Sequence, residues 1–328
     1  MDLKEFLAEW HNDSPTVLVH TSGSTGKPKP MLVEKRRMQA SARITCRFLG
    51  LHEGDTALLC MPLDYIAGKM MVVRALTCGL QLVSVPPSSH PLATSHLSPF
   101  PSRRDFAAMV PLQVWNSLQV PEERHRLMHI RHLIIGGGAI DQALASQLAD
   151  FPHQVWSTYG MTETLSHIAL RRLNGPERSD WYSPLEGVNV SVNADGCLVI
   201  NAPAVHEEPL VTNDLAEIDG NRFRILGRKD NVICSGGIKI QIEEVEALLR
   251  PHLSMPFMIT KIPDTRLGQQ MVLLTEDADR RKIEAVCRQV LPRYWQPRQV
   301  IYTEKLPLTE TGKPARAAAE KLAEKLKN

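Results

Sequence analysis

Between Thr16 and Leu170 short apolar runs alternate with longer segments of helical character, and this alternation limits the fold more than any other feature of the chain. The runs Thr16–Val19, Ala57–Cys60, Gln81–Val85, Phe106–Val110, His132–Ile135 and Gln154–Trp156 read as strands. Asp141 reads as the cap of a helix that continues through Ala149. Strands that alternate with helices imply an α/β architecture built on a largely parallel sheet.

Downstream the texture changes. Gly196–Asn201 and Arg222–Ile225 read as short antiparallel strands with Gly or Asn turns, and Gly227-Arg228-Lys229-Asp230-Asn231 is a polar break. After it come a strand at Val232-Ile233-Cys234, a glycine pair, a helix over Gln241–Arg250, strands near Met258–Lys261 and Met271–Leu274, and a helix around Arg281–Leu291. That is a compact α+β unit of its own. The boundary is expected near Asp230, with a large unit over 1–229 and a small one over 230–328; 328 residues suit two domains. The lysine-rich tail Ala317–Lys327 is helical by propensity.

Composition excludes several classes. With 43% apolar and 23% charged residues and a formal charge of +2, neither disorder nor a polyanion-binding surface is expected, so nucleic acid is not an expected partner. Met1-Asp2-Leu3-Lys4-Glu5 mixes charges where a signal peptide needs an apolar stretch, and no apolar run approaches the roughly 18 residues of a membrane span. A cytoplasmic protein is expected. The six cysteines lie far apart without a C-x-x-C pair, which fits reduced thiols better than a disulfide framework or a zinc site. His125, His129 and His132 recur at helical spacing, but Arg124, Arg126 and Arg131 surround them and disfavour another cation.

Four segments carry candidate chemistry. Thr21-Ser22-Gly23-Ser24-Thr25-Gly26-Lys27-Pro28-Lys29 combines glycines that let backbone approach an anion, hydroxyl donors and two lysines, which suits a triphosphate; a polar surface loop is the alternative. It is not a Walker A loop, because two residues rather than four separate Gly23 from Gly26 and Pro28 follows Lys27. Ser157-Thr158-Tyr159-Gly160-Met161-Thr162-Glu163-Thr164 follows a strand and is expected to open a helix. There a tyrosine face can stack on a purine, Thr162 can bond a phosphate oxygen and Glu163 can ligate magnesium, although a well-capped helix has the same composition. Ile135-Gly136-Gly137-Gly138-Ala139 allows a planar group to approach the backbone closely, or is an ordinary tight turn. Asp214 can accept two hydrogen bonds from a vicinal diol, or can close an Asx-turn.

The match to T-S-G-S-T-G-x-P-K over Thr21–Lys29 is complete, and with Tyr159-Gly160-Met161-Thr162-Glu163, Gly227-Arg228-Lys229-Asp230 and Leu306–Arg316 the chain resembles the adenylate-forming acyl-CoA synthetases. That resemblance implies an acid–thiol ligase that uses ATP, Mg²⁺ and CoA and makes an acyl-adenylate before a thioester. It implies that Thr21, Ser22, Gly23, Ser24, Thr25, Gly26 and Lys29 hold the phosphates, and that Gly138, Ala139, Ser157, Tyr159 and Gly160 stand at the adenine. By the same likeness Thr162 and Glu163 serve catalysis, with Glu163 at the metal, while Asp214 stands at the ribose and Arg228 near the ribose or α-phosphate. Asp230 becomes the pivot of a mobile small domain, Gly236 and Gly237 flank a thiol channel, and Lys313 is the catalytic cation. Read by itself, Lys313 is a solvated surface charge.

Two departures stand out. Only twenty residues precede the phosphate loop, far fewer than in full-length relatives, and Met61-Pro62-Leu63-Asp64-Tyr65-Ile66-Ala67-Gly68 replaces the usual P-L-F-H-x-x-G, with Lys69 after it. Within the family, the segments Asp64–Lys69 and Met161–His167 look most like the o-succinylbenzoate–CoA ligases of menaquinone synthesis. A diacid of that kind needs donors at its far carboxylate, and Tyr65, Lys69, Ser166 and His167, together with Gly136, are the expected lining of the acyl pocket. Another aryl- or acyl-CoA ligase, an amino-acid adenylation module using Asp64, and a non-catalytic nucleotide-binding regulator remain alternatives. A homodimer stays open.

Overall fold

The computed structural model describes residues 1–20, 30–93, 104–309 and 313–327. Helix α1 (Leu3–His11) opens with a reciprocal cap: Asp2 accepts from the Glu5 amide at 2.8 Å and Glu5 accepts from the Asp2 amide at 2.8 Å. Its buried face is Phe6 and Trp10.

Among the described residues, strands β1 (Thr16–His20) and β2 (Pro30–Glu34) pair only with each other, antiparallel, with Thr16 opposite Glu34 and His20 opposite Pro30. This corrects the expectation that the first apolar run belongs to the parallel sheet. Val17 and Val19 are buried while Leu18 is exposed, the alternation of a half-buried ribbon rather than of a central strand. Helix α2 (Lys35–Leu49) follows and ends on Gly50 in the left-handed region at φ 62°.

The main sheet is built from β3 (Thr56–Leu59), α3 (Ile66–Cys78), β4 (Gln81–Ser84), β5 (Phe106–Met109), α4 (Pro111–Gln119), α5 (Pro121–Met128), β6 (His132–Ile135), α6 (Gln142–Leu148), β7 (Gln154–Gly160), β8 (His167–Arg172) and β9 (Ser183–Pro184). Among the described residues its seven strands run β4-β3-β5-β6-β7-β8-β9, parallel through β7 and antiparallel thereafter. β5 and β6 are buried at every position, as strands covered on both faces must be. Asp141 caps α6 through a bond from the Leu144 amide at 2.8 Å, as the sequence suggests.

A four-stranded antiparallel sheet follows in the order β10 (Asn189–Val192), β11 (Cys197–Asn201), β12 (Leu210–Asp219), β13 (Arg222–Arg228). A single 3-10 turn over Lys229–Asn231 leads out of it. The rest is a sheet of β14 (Val232–Ser235), β15 (Ile238–Gln241), β16 (Phe257–Asp264), β17 (Gly268–Thr275) and β18 (Gln299–Tyr302), flanked by α7 (Ile242–Leu249), α8 (Arg280–Val290) and α9 (Arg316–Leu326). One apolar core draws on residues from Phe6 to Phe223, and two others draw only on residues from Ile233 onward.

Candidate active site

Parallel strands end on a common edge, and an open α/β sheet gathers ligands there. Tyr65 follows β3, Gly136–Ala139 follow β6 and Met161–Ser166 follow β7, so three separate sequence motifs reach one rim. The β6–β7 register sets Ile135 opposite Ser157, and Thr158 Oγ1 donates to the Ile135 carbonyl at 3.3 Å. Gly138 and Ala139 are exposed at that rim, with Gly136 half-buried.

The segment after Gly160 does not open a helix, contrary to expectation. It is a tight turn into antiparallel β8, closed by Thr164 N to Met161 O (3.2 Å), Leu165 N to Thr162 O (2.9 Å) and Ser166 N to Thr164 O (2.7 Å). Thr164 Oγ1 accepts from the Met161 amide at 3.0 Å, so a hydroxyl that resembled a helix cap ties a turn instead. Leu165 takes φ 65°. Gly160 is required by the closure, because a Cβ there would overlap the Ser166 carbonyl and the His167 Cα. Thr162 is buried at the base of this turn, and the half-buried Glu163 carboxylate has no hydrogen-bond or ion partner among the described residues.

Asp214, on β12, faces β7. Tyr159 donates its phenolic hydrogen to Asp214 Oδ2 at 2.6 Å, and Arg228 Nη1 donates to Oδ1 at 3.2 Å. Burial first, and then the Asp214 charge, pushes the Tyr159 phenol far above its ordinary range, so it remains a donor. Its ring meets Phe223 edge-on at 5.1 Å, and Ser157 Oγ shares a hydrogen bond with Tyr182 at 2.9 Å. Arg228 Nη2 also donates to Asp230 at 3.0 Å, and Asn213 reaches the same Asp230 oxygen at 3.3 Å.

Lys313 lies toward the far end of the chain. Burial and then the charge of Arg228 hold its ammonium below the usual lysine range. Expected here as a solvated cation on composition alone, it is instead half-buried.

The residues expected at the acyl end divide into two groups. Lys69 is buried, and its ammonium donates to the Leu18 carbonyl at 2.9 Å and to Glu9 at 3.4 Å, 5.1 Å from the Phe6 ring centroid. It faces α1. Tyr65 begins α3 and is half-buried, and its neighbour Asp64 pairs with the Met1 amino group at 3.1 Å. Ser166 and His167 lie together: Ser166 Oγ is 3.3 Å from His167 Nδ1, and His167 Nε2 is 3.1 Å from Thr45 Oγ1. Burial, then the charge of Arg74, holds His167 well below its usual range, so it is a neutral imidazole.

Arg74 was not singled out from the sequence. Its guanidinium is buried, donates through Nη2 to Ser166 Oγ at 2.5 Å and lies 5.9 Å from the Phe106 ring centroid. No carboxylate among the described residues stands within ion-pair distance, its Nε has no acceptor there, and burial pushes it down to about 10. A lone arginine within the apolar run Met70–Ala75 was the available signal.

Gly236 and Gly237 form the two-residue turn between β14 and β15, with φ 59° and 83°. A hairpin turn of that type needs left-handed backbone at both positions, so local structure already accounts for the pair. Thr21, Ser22, Gly23, Ser24, Thr25, Gly26 and Lys29 lie outside the described residues. Among the described residues no group of His, Cys, Asp and Glu could by itself hold a metal ion, and no helix is long and apolar enough to cross a membrane.

Comparison with known proteins gives a consistent result. The family profile described as AMP-binding enzyme matches residues 4–197. A 2-succinylbenzoate–CoA ligase of Bacillus mycoides (strain KBAB4) is 26% identical over 349 residues, covering 97% of this chain and 72% of that protein. The crystal structure of an acyl-CoA synthetase (AMP-forming)/AMP-acid ligase II-like protein from Dyadobacter fermentans is 35% identical with a TM-score of 0.64, covering 96% of this chain and 91% of the other. An o-succinylbenzoate coenzyme A synthetase of Bacillus subtilis, in complex with ATP and magnesium ion, shares the fold with a TM-score of 0.76 at 23% identity, covering 95% and 69%.

Proposed function

The chain belongs to the AMP-binding enzyme family, and from that premise we propose that it is an AMP-forming acid–CoA ligase acting on o-succinylbenzoate. It uses ATP with Mg²⁺ and transfers the acyl group to CoA, with 1–229 as the nucleotide and acyl unit and 230–328 as the mobile unit. One observation carries the activity: Tyr159 and Arg228, the latter at the edge of the Lys229–Asn231 turn, both hold the Asp214 carboxylate.

In this reading Asp214 accepts the ribose hydroxyls, and Tyr159, Gly160, Ser157, Gly138 and Ala139 form the adenine surface. Thr21–Gly26 and Lys29 carry the outer phosphates. Glu163, whose carboxylate has no partner among the described residues, fits a hard cation, and bound magnesium supplies charge neutralisation to the phosphates. The substrate carboxylate attacks the α-phosphorus and pyrophosphate leaves. Lys313, Arg228 and Thr162 stabilise the charge developing at phosphorus, an effect enlarged where water is excluded. The small unit then turns about Asp230, Gly236 and Gly237 come beside the thiol path, and the CoA thiolate displaces AMP from the acyl carbon.

Substrate class follows from Arg74. A buried cation without a carboxylate partner among the described residues, hydrogen-bonded to Ser166 next to His167, is suited to the far carboxylate of a diacid. Tyr65 and Gly136 shape the entrance, while Lys69 steadies α1 behind it. Incubation with Mg²⁺, ATP and o-succinylbenzoate should release pyrophosphate, and addition of CoA should yield AMP and the thioester. Formation of ADP and phosphate would overturn the adenylate route, and equal turnover of a long-chain fatty acid would overturn the diacid.

A further inference from the structure

The described residues on either side of Lys313 are tied to one another. Thr309 N donates to Lys313 O at 2.8 Å, Lys313 N to Thr309 Oγ1 at 3.0 Å and Ala315 N to Pro307 O at 3.0 Å, with a bridge between Leu308 and Pro314. None of these bonds tells the loop where to stand relative to Arg228. Upstream it is tied at Leu306, whose amide donates to Glu276 at 2.9 Å.

Downstream the tie is much stronger and lies nearer the lysine. Arg316 donates Nη1 to Glu246 Oε1 at 2.6 Å and Nη2 to Glu246 Oε2 at 2.8 Å, a two-pronged pair, and Nη1 also reaches the Ile259 carbonyl at 3.0 Å. Glu246 is buried on α7, and its Oε1 accepts the Ile259 amide at 2.8 Å. The other end of α7 is bonded to the region around Arg228. Gln241 Nε2 donates to the Arg228 carbonyl at 3.1 Å, and Glu243 accepts from Asn231 at 2.5 Å and from Gln241. The start of one short helix, with Gln241 just before it, therefore grips the Arg228 strand end and the Lys229–Asn231 turn, and Glu246, three residues past Glu243, holds Arg316 beside Lys313.

We propose that Arg316 and Glu246 are positioning residues for the adenylation step: their pairing makes α7 the rigid spacer that sets Lys313 at its working distance from Arg228. Neither touches ATP or the acid. The inference rests on the acid–CoA ligase reading, and because Lys313 serves only adenylation in that reading, it predicts a defect confined to one half-reaction. Misplacement of a reacting group by about an ångström lowers rates by about tenfold to a hundredfold without altering ground-state binding.

The test uses the full chain with Arg316→Gln and Arg316→Lys. Adenylate formation, measured by pyrophosphate release, should fall by about tenfold to a hundredfold in Arg316→Gln with KM for ATP unchanged. Thioester formation from supplied acyl-adenylate should stay close to the parent rate, which also shows that the small unit is folded. Arg316→Lys, which retains charge but loses the fork, should fall between them. Equal slowing of both half-reactions, or unchanged adenylation, overturns the proposal.

A second readout does not depend on the substrate. Competitive acetylation of amines across a pH series reports the titration of Lys313 in the ligand-free protein. In Arg316→Gln the Lys313 profile should move up toward that of an ordinary lysine as the lysine loses its burial and leaves the field of Arg228. If the parent activates no acid, the ligase reading fails while this shift still supports the spacer; an unmoved profile overturns the spacer whatever the activity.

Discussion

Tyr159 holds Asp214 across the gap between β7 and β12 with a 2.6 Å hydrogen bond, so the carboxylate proposed for the ribose is oriented before a nucleotide arrives. Tyr159→Phe removes that bond and leaves the aromatic contact with Phe223. A hydrogen bond to a charged group contributes roughly 1.5–3 kcal/mol, so KM for ATP should rise about tenfold or more with kcat much less affected. Steady-state kinetics with ATP varied would check this, and an unchanged KM would remove Asp214 from ribose recognition.

Arg74 and Lys69 make opposite predictions. Arg74→Leu should raise KM for o-succinylbenzoate by about tenfold to a hundredfold, as expected for one lost charge-assisted bond, and leave KM for ATP in place. Lys69→Met should instead lower Tm, because it strips Glu9 and the Leu18 carbonyl of their partner, with little change in KM for the diacid. Thermal unfolding and acid kinetics on both variants decide between them; the reverse pattern would return the far carboxylate to Lys69.

Lys313→Ala should abolish adenylate formation and spare thioester formation from supplied acyl-adenylate. Its depressed titration adds a pH signature. The protonated form is lost at lower pH than for an ordinary lysine, so the alkaline fall in adenylation rate should begin below the usual lysine range. Adenylation rates measured from pH 7 upward would show it, and a fall that persists unshifted in Lys313→Ala would assign the limb elsewhere.

Acid should destabilise the fold through two buried histidines. Burial and then Arg131 push His132 down to about 4, and His167 is held well below 6.5 by burial and Arg74. Because the folded values lie below the unfolded one, the unfolded chain takes up protons the native state refuses. Stability is therefore full above about pH 6.5 and falls as pH drops from there through about 4. Urea midpoints at pH 7 and pH 5 should differ less in His132→Gln than in the parent; an equal difference would exclude His132.

Cys78 should be the first half-buried thiol to react. Its bond from Cys46, followed by the charges of Arg74 and Arg43, holds it below the ordinary thiol range, whereas burial pushes Cys60 up to about 12 and Cys287 up to about 11. Brief treatment with iodoacetamide near neutral pH, read by peptide mass spectrometry, should label Cys78 well before Cys60 or Cys287. Equal labelling of the three would contradict the arrangement of α2 against α3.

The parts legible in the sequence are those whose residue pattern had one physical outcome. Phe106–Met109 and His132–Ile135 are continuous apolar runs, and strands covered on both faces are what such runs become. Asp141 had a helix to cap and caps it. The turn after Gly160 was illegible because Thr164 can cap a helix or close a turn, and only the partner strand β8 decides. Lys69 and Arg74 show the same limit at the acyl end. Five residues apart on α3 they point about 140° apart, so one meets α1 and the other meets Ser166, and no local pattern says which. Lys313 was legible only through its motif, since its burial is set by how the small unit folds around it and not by its neighbours in sequence.

The burial of Arg74 also bears on how this protein can evolve. A guanidinium enclosed without a carboxylate among the described residues makes the ligand-free fold less stable than an apolar residue of similar size would, while a diacid bound as proposed would recover the difference through mass action. Selection for thermal robustness and selection for a two-carboxylate substrate therefore pull on this one position in opposite directions. Drift toward a simple aryl acid would need little more than the loss of that charge, and would leave behind a sturdier enzyme with a broader diet.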